Sequence, residues 1–408
     1  MRSDLGISGL NPYLLFDAES SMIGTFETPT LDLDPSVPSS LDVITAVRAG
    51  VATYTDASGL IQSATANTVR VDHSLGYPAM LIEPSATNLL PYSEDFSNPA
   101  WIQYAAGTGV TPIVTPDFGT SPDGTVSASR IQFNKGSGTG SANMSFIYDS
   151  AQTSSGATTS KSVYLKSNTT EAYEMVIYES QYASGSNVKK ITVTPDWQRF
   201  DIYGAIPAIT TGIVIGLREL NVSGLSNTAD VLVWGAQAET GSVATSYIPT
   251  SGSAVTRAAD DLTISGSAFT DFFNASEGTW YAEFVPKGND GSENYTFIIE
   301  YGTGNTDRVG FFYYVADGSL SVTGFNSNSQ YYNQTKLGDS TNQLARMSYS
   351  YKSGNHKSAI NGTSDSATDT VVPPANQLKL GKRIVGTNGS LVGHIKRLIY
   401  WPNHSDSL

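Results

Sequence analysis

Three groups of residues in this 408-residue chain have types and spacings that could do chemistry. The first is the run from Phe325 to Asn333, Phe-Asn-Ser-Asn-Ser-Gln-Tyr-Tyr-Asn. Tyrosine rings stack on the apolar faces of sugars, and side-chain amides both donate to and accept from hydroxyls. Phe325, Asn326, Asn328, Tyr331, Tyr332 and Asn333 therefore form a candidate glycan-binding patch, although the same composition also suits an ordinary surface loop. The second group is the carboxylates. A glycosidase needs two of them about 5–9.5 Å apart across the scissile bond, and no catalytic same-strand spacing is found: Glu277 and Glu283 are six positions apart with Trp280 and Tyr281 between them. The third is His73. A histidine base needs an oriented partner, and no motif places a serine or an acid beside it, which favours a structural role. There is no G-x-S-x-G or H-E-x-x-H motif, and with no cysteine, thiol catalysis, disulfides and thiolate metal sites are excluded. These observations predict a protein that binds rather than catalyses.

Charge narrows the partners. The formal net charge is −14, which opposes a grip on nucleic-acid phosphates. Residues 1–40 hold six acids and one base, residues 41–261 nineteen and eleven, and residues 262–408 twelve and eleven. The C-terminal part is thus nearly neutral and the acidity lies upstream. No stretch approaches the ~18 apolar residues of a membrane span, and the N-terminal residues lack the apolar core of a secretory signal. Neither membrane insertion nor signal-directed export is expected.

Whatever these residues do, strands must position them. Gly, Ser, Thr and Asn abound, and apolar residues never gather at a helical period over several turns. Tyr173–Tyr178, Ser162–Lys166 and Glu277–Phe284 alternate as half-buried strands do. Ser353-Gly354-Asn355 and Asn361-Gly362 are hairpin turns. The length suits two or three domains. Neither heptads nor Gly-X-Y repeats are present, nor the regular short repeat of a β-helix. Residues 1–40 carry one apolar patch, Pro12-Tyr13-Leu14-Leu15-Phe16, and then a Pro/Ser/Asp-rich run expected to form no core.

Several longer patterns resemble a known class. WGAQAETGSVATSYIPT from Trp234, followed by AVTRAAD ending at Asp260, resembles the closing segment of carbohydrate-binding-module-like domains in structural proteins of tailed bacteriophages. Arg48 to His73, with Ile82-Glu83-Pro84, resembles a module that precedes such domains. Asn88-Leu89-Leu90, Glu94-Asp95-Phe96 and Trp101 resemble the opening of a jelly-roll carbohydrate-binding module, and Trp197-Gln198-Arg199-Phe200 one of its strands. Gly393-x-Ile395-x-x-Leu398-x-x-Trp401 resembles the closing strand of concanavalin A/laminin G-like lectin sandwiches, to which the Ala359-Ile360-Asn361-Gly362 hairpin also belongs. The E-x-D-x-x-E strand of laminarinase-type relatives is missing.

The resemblance implies an all-β chain of tandem antiparallel sandwiches. Its parts would be an N-terminal arm and virion anchor (1–40), a small β module (41–87), a jelly-roll domain with a linker strap (88–261) and a lectin-like sandwich (262–408). Trp101, Trp197 and Trp234 fall where the family's strands pack and are expected in the core. No cofactor is required, although modules of this kind often hold a structural Ca2+, for which Glu94, Asp95 and Asp230 stand at matching places. The implied protein is a virion component assembled in the host cytoplasm. As a tail fibre or spike it would be a homotrimer that contacts other virion proteins through the arm and a host cell-surface polysaccharide through the last sandwich. The alternatives are a capsid or tail decoration without a receptor role and, further off, a polysaccharide depolymerase.

Overall fold

The computed structural model describes residues 28–149, 158–178, 187–205, 213–372, 374–386 and 388–406. Antiparallel strands dominate them, and they build two sandwiches. The first is a jelly roll of two five-stranded sheets. One sheet runs, in spatial order, Gln198–Ala205, Thr158–Ser167, Thr228–Thr240, Val126–Asn134 and Val110–Thr120. The other runs Val188–Val193, Tyr173–Tyr178, Val214–Arg218, Met144–Asp149 and Trp101–Ala106. Period-two alternation fixes the faces: Val163 and Leu165 point into the core with Ile177, Val231 and Val233, leaving Tyr164 and Lys166 on the outer face of the first sheet.

The second sandwich draws on both ends of the chain. In one sheet the closing strand Leu391–Trp401 pairs with Glu277–Asn289 on one side and with Leu31–Leu33 and Ala79–Ile82 on the other. In the facing sheet Asp261–Ser265 pairs with Thr45–Val47 and with Gln377–Leu380. The jelly roll is therefore an insertion. The chain leaves through Ala86–Asn88 and returns beside it as Val255–Arg257.

Two expectations change as a result. Residues 41–87 are not a separate module, because Thr45–Val47 joins one sheet of the last sandwich and Arg70–Asp72 and Ala79–Ile82 join the other. Ala79, Met80, Leu81 and Ile82 are buried on both faces, and the strand they form pairs with the closing strand Leu391–Trp401. The run after residue 27 does contribute to a core. Leu31 and Leu33 alternate into it, and the intervening Asp32 takes a two-pronged bond from Arg397, at 3.0 and 2.8 Å. The Pro12–Phe16 patch lies outside the described residues.

The closing motif has a specific geometry. Ile395 and Leu398 are three apart, so strict alternation would send them to opposite faces. A register shift at Lys396, between the pairs Glu283↔Arg397 and Phe284↔Ile395, turns both inward. A second bulge lies at Gly235. The Trp234 strand passes through it and runs on to Thr240. Gly235 has φ +61°, and a Cβ there would stand 3.1 Å from the Tyr164 ring and 3.3 Å from the Tyr247 ring. Glycine meets both demands.

Candidate functional site

The Phe325–Asn333 run is a hairpin joining Leu320–Asn326 to Ser329–Lys336. Ser327 and Asn328, both at positive φ, form its two-residue turn. Phe325 lies under the Arg308 guanidinium at 4.2 Å, Asn326 is half-buried and Asn328 exposed. The tyrosines do not form the exposed platform expected of them. A register shift between Gly324 and Phe325 lets Tyr331 and Tyr332 both lean inward. Tyr332 is 3% exposed, its hydroxyl is 2.7 Å from Ser358 Oγ, and burial pushes its phenol up to about 12. Tyr331 is half-buried, edge-on to His356 at 5.5 Å. Asn333 Oδ1 accepts from Ser321 and Thr323, each at 2.9 Å. The two tyrosine hydroxyls and Asn333 Oδ1 are thus already bonded within the fold.

The three acids matched to calcium do not meet. Glu94 accepts from the Tyr247 hydroxyl at 2.7 Å, and burial raises its pKa. Asp95 bonds the backbone N–H and hydroxyl of Ser97. Asp230 is held by Arg130, Nε to Oδ1 at 2.8 Å and Nη2 to Oδ2 at 2.5 Å. Calcium takes six to eight oxygens, and no cluster of three or more candidate ligands exists among the described residues. His73 donates its backbone N–H to Thr55; among the described residues no serine or acid is bonded to its ring.

The residues that do converge are those of the longer motifs. Arg48, Arg70, Glu83, Arg257 and Asp260 come from four segments and meet in one buried clasp where the jelly roll joins the last sandwich. Asp260 binds Arg48 Nη1 at 2.9 Å and also Arg70. Glu83 binds Arg70 at 2.8 Å and Arg257 at 3.5 Å, and accepts from the N–H and hydroxyl of Ser246, both at 2.6 Å. Burial would raise the Glu83 pKa, but the charges of Arg257 and Arg70 overrule it and hold the carboxyl well below its usual range. Beside the clasp, Asp72 accepts from His394 Nε2 at 2.9 Å and from the Thr55 N–H at 2.7 Å. These bonds, with that of Ser74, overcome burial and hold its pKa at about 2. Burial lowers the His394 pKa, consistent with a neutral ring donating from Nε2.

Over this clasp a cleft of about 620 Å³ opens between the sandwiches. One wall is the outer face of the jelly-roll sheet. Tyr164 and Arg199 are directly opposed across neighbouring strands, with the guanidinium 5.3 Å from the ring centroid. Trp197 begins the same strand edge and donates its indole N–H to Thr120 O at 3.1 Å. The second wall carries Tyr54, on the hairpin of Ala52–Thr55 and Ile61–Ala64, together with Lys287. Trp101 and Trp234 are buried at 2% and 1% as expected. Trp197 differs: it is half-exposed and lines the cleft. No single segment of sequence signals the cleft, since its lining residues are scattered from Thr53 to His394 along the chain.

No family model matches the sequence, and no curated protein is similar to it at a significant level. Solved structures align over parts of the chain. NanB with Optactamide aligns at 14% identity and a TM-score of 0.29, over 35% of this chain and 24% of its own. The CBM40 of a Ruminococcus gnavus IT-sialidase, bound to α2,6-sialyllactose, aligns at 10% and 0.29, over 34% of this chain and 82% of its own. Domains LG4-5 of the mouse laminin α1 chain align at 10% and 0.25, over 61% and 83%.

Proposed function

We propose that the chain is a non-enzymatic virion protein of a tailed phage that binds a host cell-surface glycan, and that the cleft between the sandwiches receives it. The observation that carries this reading is the cleft itself. Half-exposed Tyr54, Tyr164 and Trp197 face a space of about 620 Å³ alongside Ser, Thr and Lys side chains. Flat rings next to hydroxyl-bonding groups suit a saccharide. The virion assignment rests on the sequence resemblance, and the homotrimer and the attachment through residues 1–40 belong to it. The carboxylates of the cleft favour binding over hydrolysis. Asp72 and Glu83 are committed to His394 and to two arginines, whereas a general acid needs a raised pKa.

The decoration reading draws on a different observation. The buried charged residues of those motifs, Arg48, Arg70, Arg257 and Asp260, pair with one another and with Glu83 in the clasp, which braces the molecule, and are not offered to a ligand. Adsorption separates the two readings. Purified full chain should compete with the phage for host cells, and Trp197→Ala should abolish that competition while leaving assembly intact. Loss of particle integrity without loss of adsorption would select decoration. Light scattering tests the trimer, since one chain is 43.3 kDa and a particle of that mass would refute it.

A further inference from the structure

The cleft has a charge opposite to that of the molecule. Its acids are outnumbered. The two clasp carboxylates, Glu83 and Asp260, face three guanidinium groups, those of Arg48, Arg70 and Arg257, and the one other lining carboxylate, Asp72, bonded to the neutral ring of His394, stands against Lys166, Lys287 and Arg199. Lys166 and Lys287 line the cleft with no ion pair or hydrogen bond among the described residues. Arg199 spends its hydrogen bonds on neutral groups, Thr245 O at 2.7 Å and Ser162 Oγ at 2.9 Å. The nearby acids have partners of their own: Glu239 is bonded to Thr245 and Asp201 to Lys189.

Lys287 is the most telling of these cations. It sits in a bulge of the Glu277–Asn289 strand, between Pro286, which pairs with Gly393, and Gly288, which pairs with Val392. The bulge places an ammonium group against the cleft. Burial lowers its pKa, and Glu83 and Asp72 only partly oppose the shift. The side chain is half-buried, so its ammonium is only partly hydrated, and an anionic ligand would supply the partner it lacks.

From this arrangement we infer that the cleft selects an anionic saccharide, whose ring carboxylate or bridging phosphodiester pairs with Lys287 and Lys166 while a sugar face lies on Trp197. The inference rests on the glycan-binding reading and narrows it to a ligand class. The chain's net charge of −14 does not prevent this. At about 0.1 M salt, charges more than ~10 Å away are largely screened. The cleft cations act at contact, where a charge-assisted hydrogen bond is about twice as strong as a neutral one.

Isothermal titration of the full chain with trigalacturonate, a phosphodiester-linked glucose trimer and neutral galactotriose tests it. At least one acidic ligand should bind about tenfold or more tighter than galactotriose at about 0.1 M salt, and the gap should shrink as salt rises further. Which acidic ligand binds tells carboxylate from phosphodiester. Lys287→Gln combined with Lys166→Gln should remove the preference, bringing acidic ligands and galactotriose to equal affinity, and Lys287→Arg should retain the preference. Equal binding of acidic and neutral sugars, or a preference that survives the double lysine change, overturns the inference and leaves the glycan reading standing. If the variants fail to fold, the unaltered chain still decides the matter, because a preference that does not shrink with salt overturns the inference too. Binding of none of the three ligands overturns the glycan reading, and this inference with it.

Discussion

The hairpin around Tyr331 and the cleft wall around Trp197 have nearly the same composition, aromatic rings set among amides, hydroxyls and a few cations. The fold uses them in opposite ways. In the hairpin a single register shift turns two successive tyrosines toward the core, where Ser358 takes the Tyr332 hydroxyl. In the cleft wall, unbroken alternation along Ser162–Lys166 sends Tyr164 and Lys166 outward, and both stay half-exposed. Composition marks both stretches as able to bind a sugar. The pleat decides which of them has groups left to do so.

The largest way to break this contrast is at Tyr332. Tyr332→Ala should lower stability by about 3–5 kcal/mol, as expected for a buried aromatic ring, seen as a fall in the urea midpoint. A loss comparable to a surface change would mean that the ring is not part of the core. Of similar size, about 3–5 kcal/mol, is the effect expected for Asp260→Ala, which leaves Arg48 and Arg70 buried without their shared carboxylate. Cleavage at the exposed Ser251–Thr256 segment should then quicken, because the clasp anchors both of its ends.

How much of this was legible in the sequence depends on how local each signal was. Turns and strands were readable: Asn361-Gly362 closes a hairpin, and Leu391–Trp401 is the central closing strand its pattern suggested. The all-β sandwich class followed from such signals. Pairing across the chain was not readable. Nothing in Ala79-Met80-Leu81-Ile82 says that its partner is Gly393–Ile395, so the insertion of one sandwich into the other stayed hidden. The site was hidden for the same reason. Arg48, Arg70, Glu83, Arg257 and Asp260 stood out in motifs, but their shared role as a clasp needs contacts up to 212 positions apart. The sequence pattern puts Trp197 in the core because its strand packs there; its position at the strand's start leaves the ring at the cleft.

Acid sharpens the comparison without a mutation. The folded-state pKa of Asp72 is lowered to about 2, so it stabilises the native state fully above the unfolded value of about 3.9. That contribution fades as pH falls from about 4 to about 2. Glu83, shifted in the same direction, adds to the loss. The depressed His394 pKa adds a smaller decline that begins below about 6.5. Thermal midpoints should therefore be highest near neutrality, sag slightly toward about pH 5 and fall steeply below about pH 4. Asp72→Asn should flatten the steep part, and an unchanged profile in that variant would show that the junction does not govern acid sensitivity.

Gly235→Ala tests the bulge that lets Tyr164 and Tyr247 close together behind the cleft wall. At φ +61° an alanine is strained by roughly 1–2 kcal/mol, and its Cβ meets two rings. The expected result is a modest drop in stability together with weaker glycan binding, because Tyr164 supports Arg199 through its ring face. A stability change with unaltered binding would separate the bulge from the site.

The smallest stability effect should come from the residue with the largest effect on binding. Trp197→Ala removes a half-exposed ring and one hydrogen bond, to Thr120 O at 3.1 Å. A bond of that kind contributes about 0.5–1.5 kcal/mol net, and the ring's burial is incomplete, so the urea midpoint should move far less than for Tyr332→Ala. Sugar stacking on an indole is lost entirely, and the titrations should show it as a fall of about tenfold or more in affinity. Trp234 supplies the scale: Trp234→Ala, at 1% exposure, should behave as a core deletion of about 3–5 kcal/mol. If Trp197→Ala destabilises as much as Trp234→Ala, the Trp197 ring belongs to the core like Tyr332, and the contrast between hairpin and cleft disappears. If it leaves stability nearly intact and removes binding, the same residue types have been shown to do two different jobs, decided by which way a strand faces.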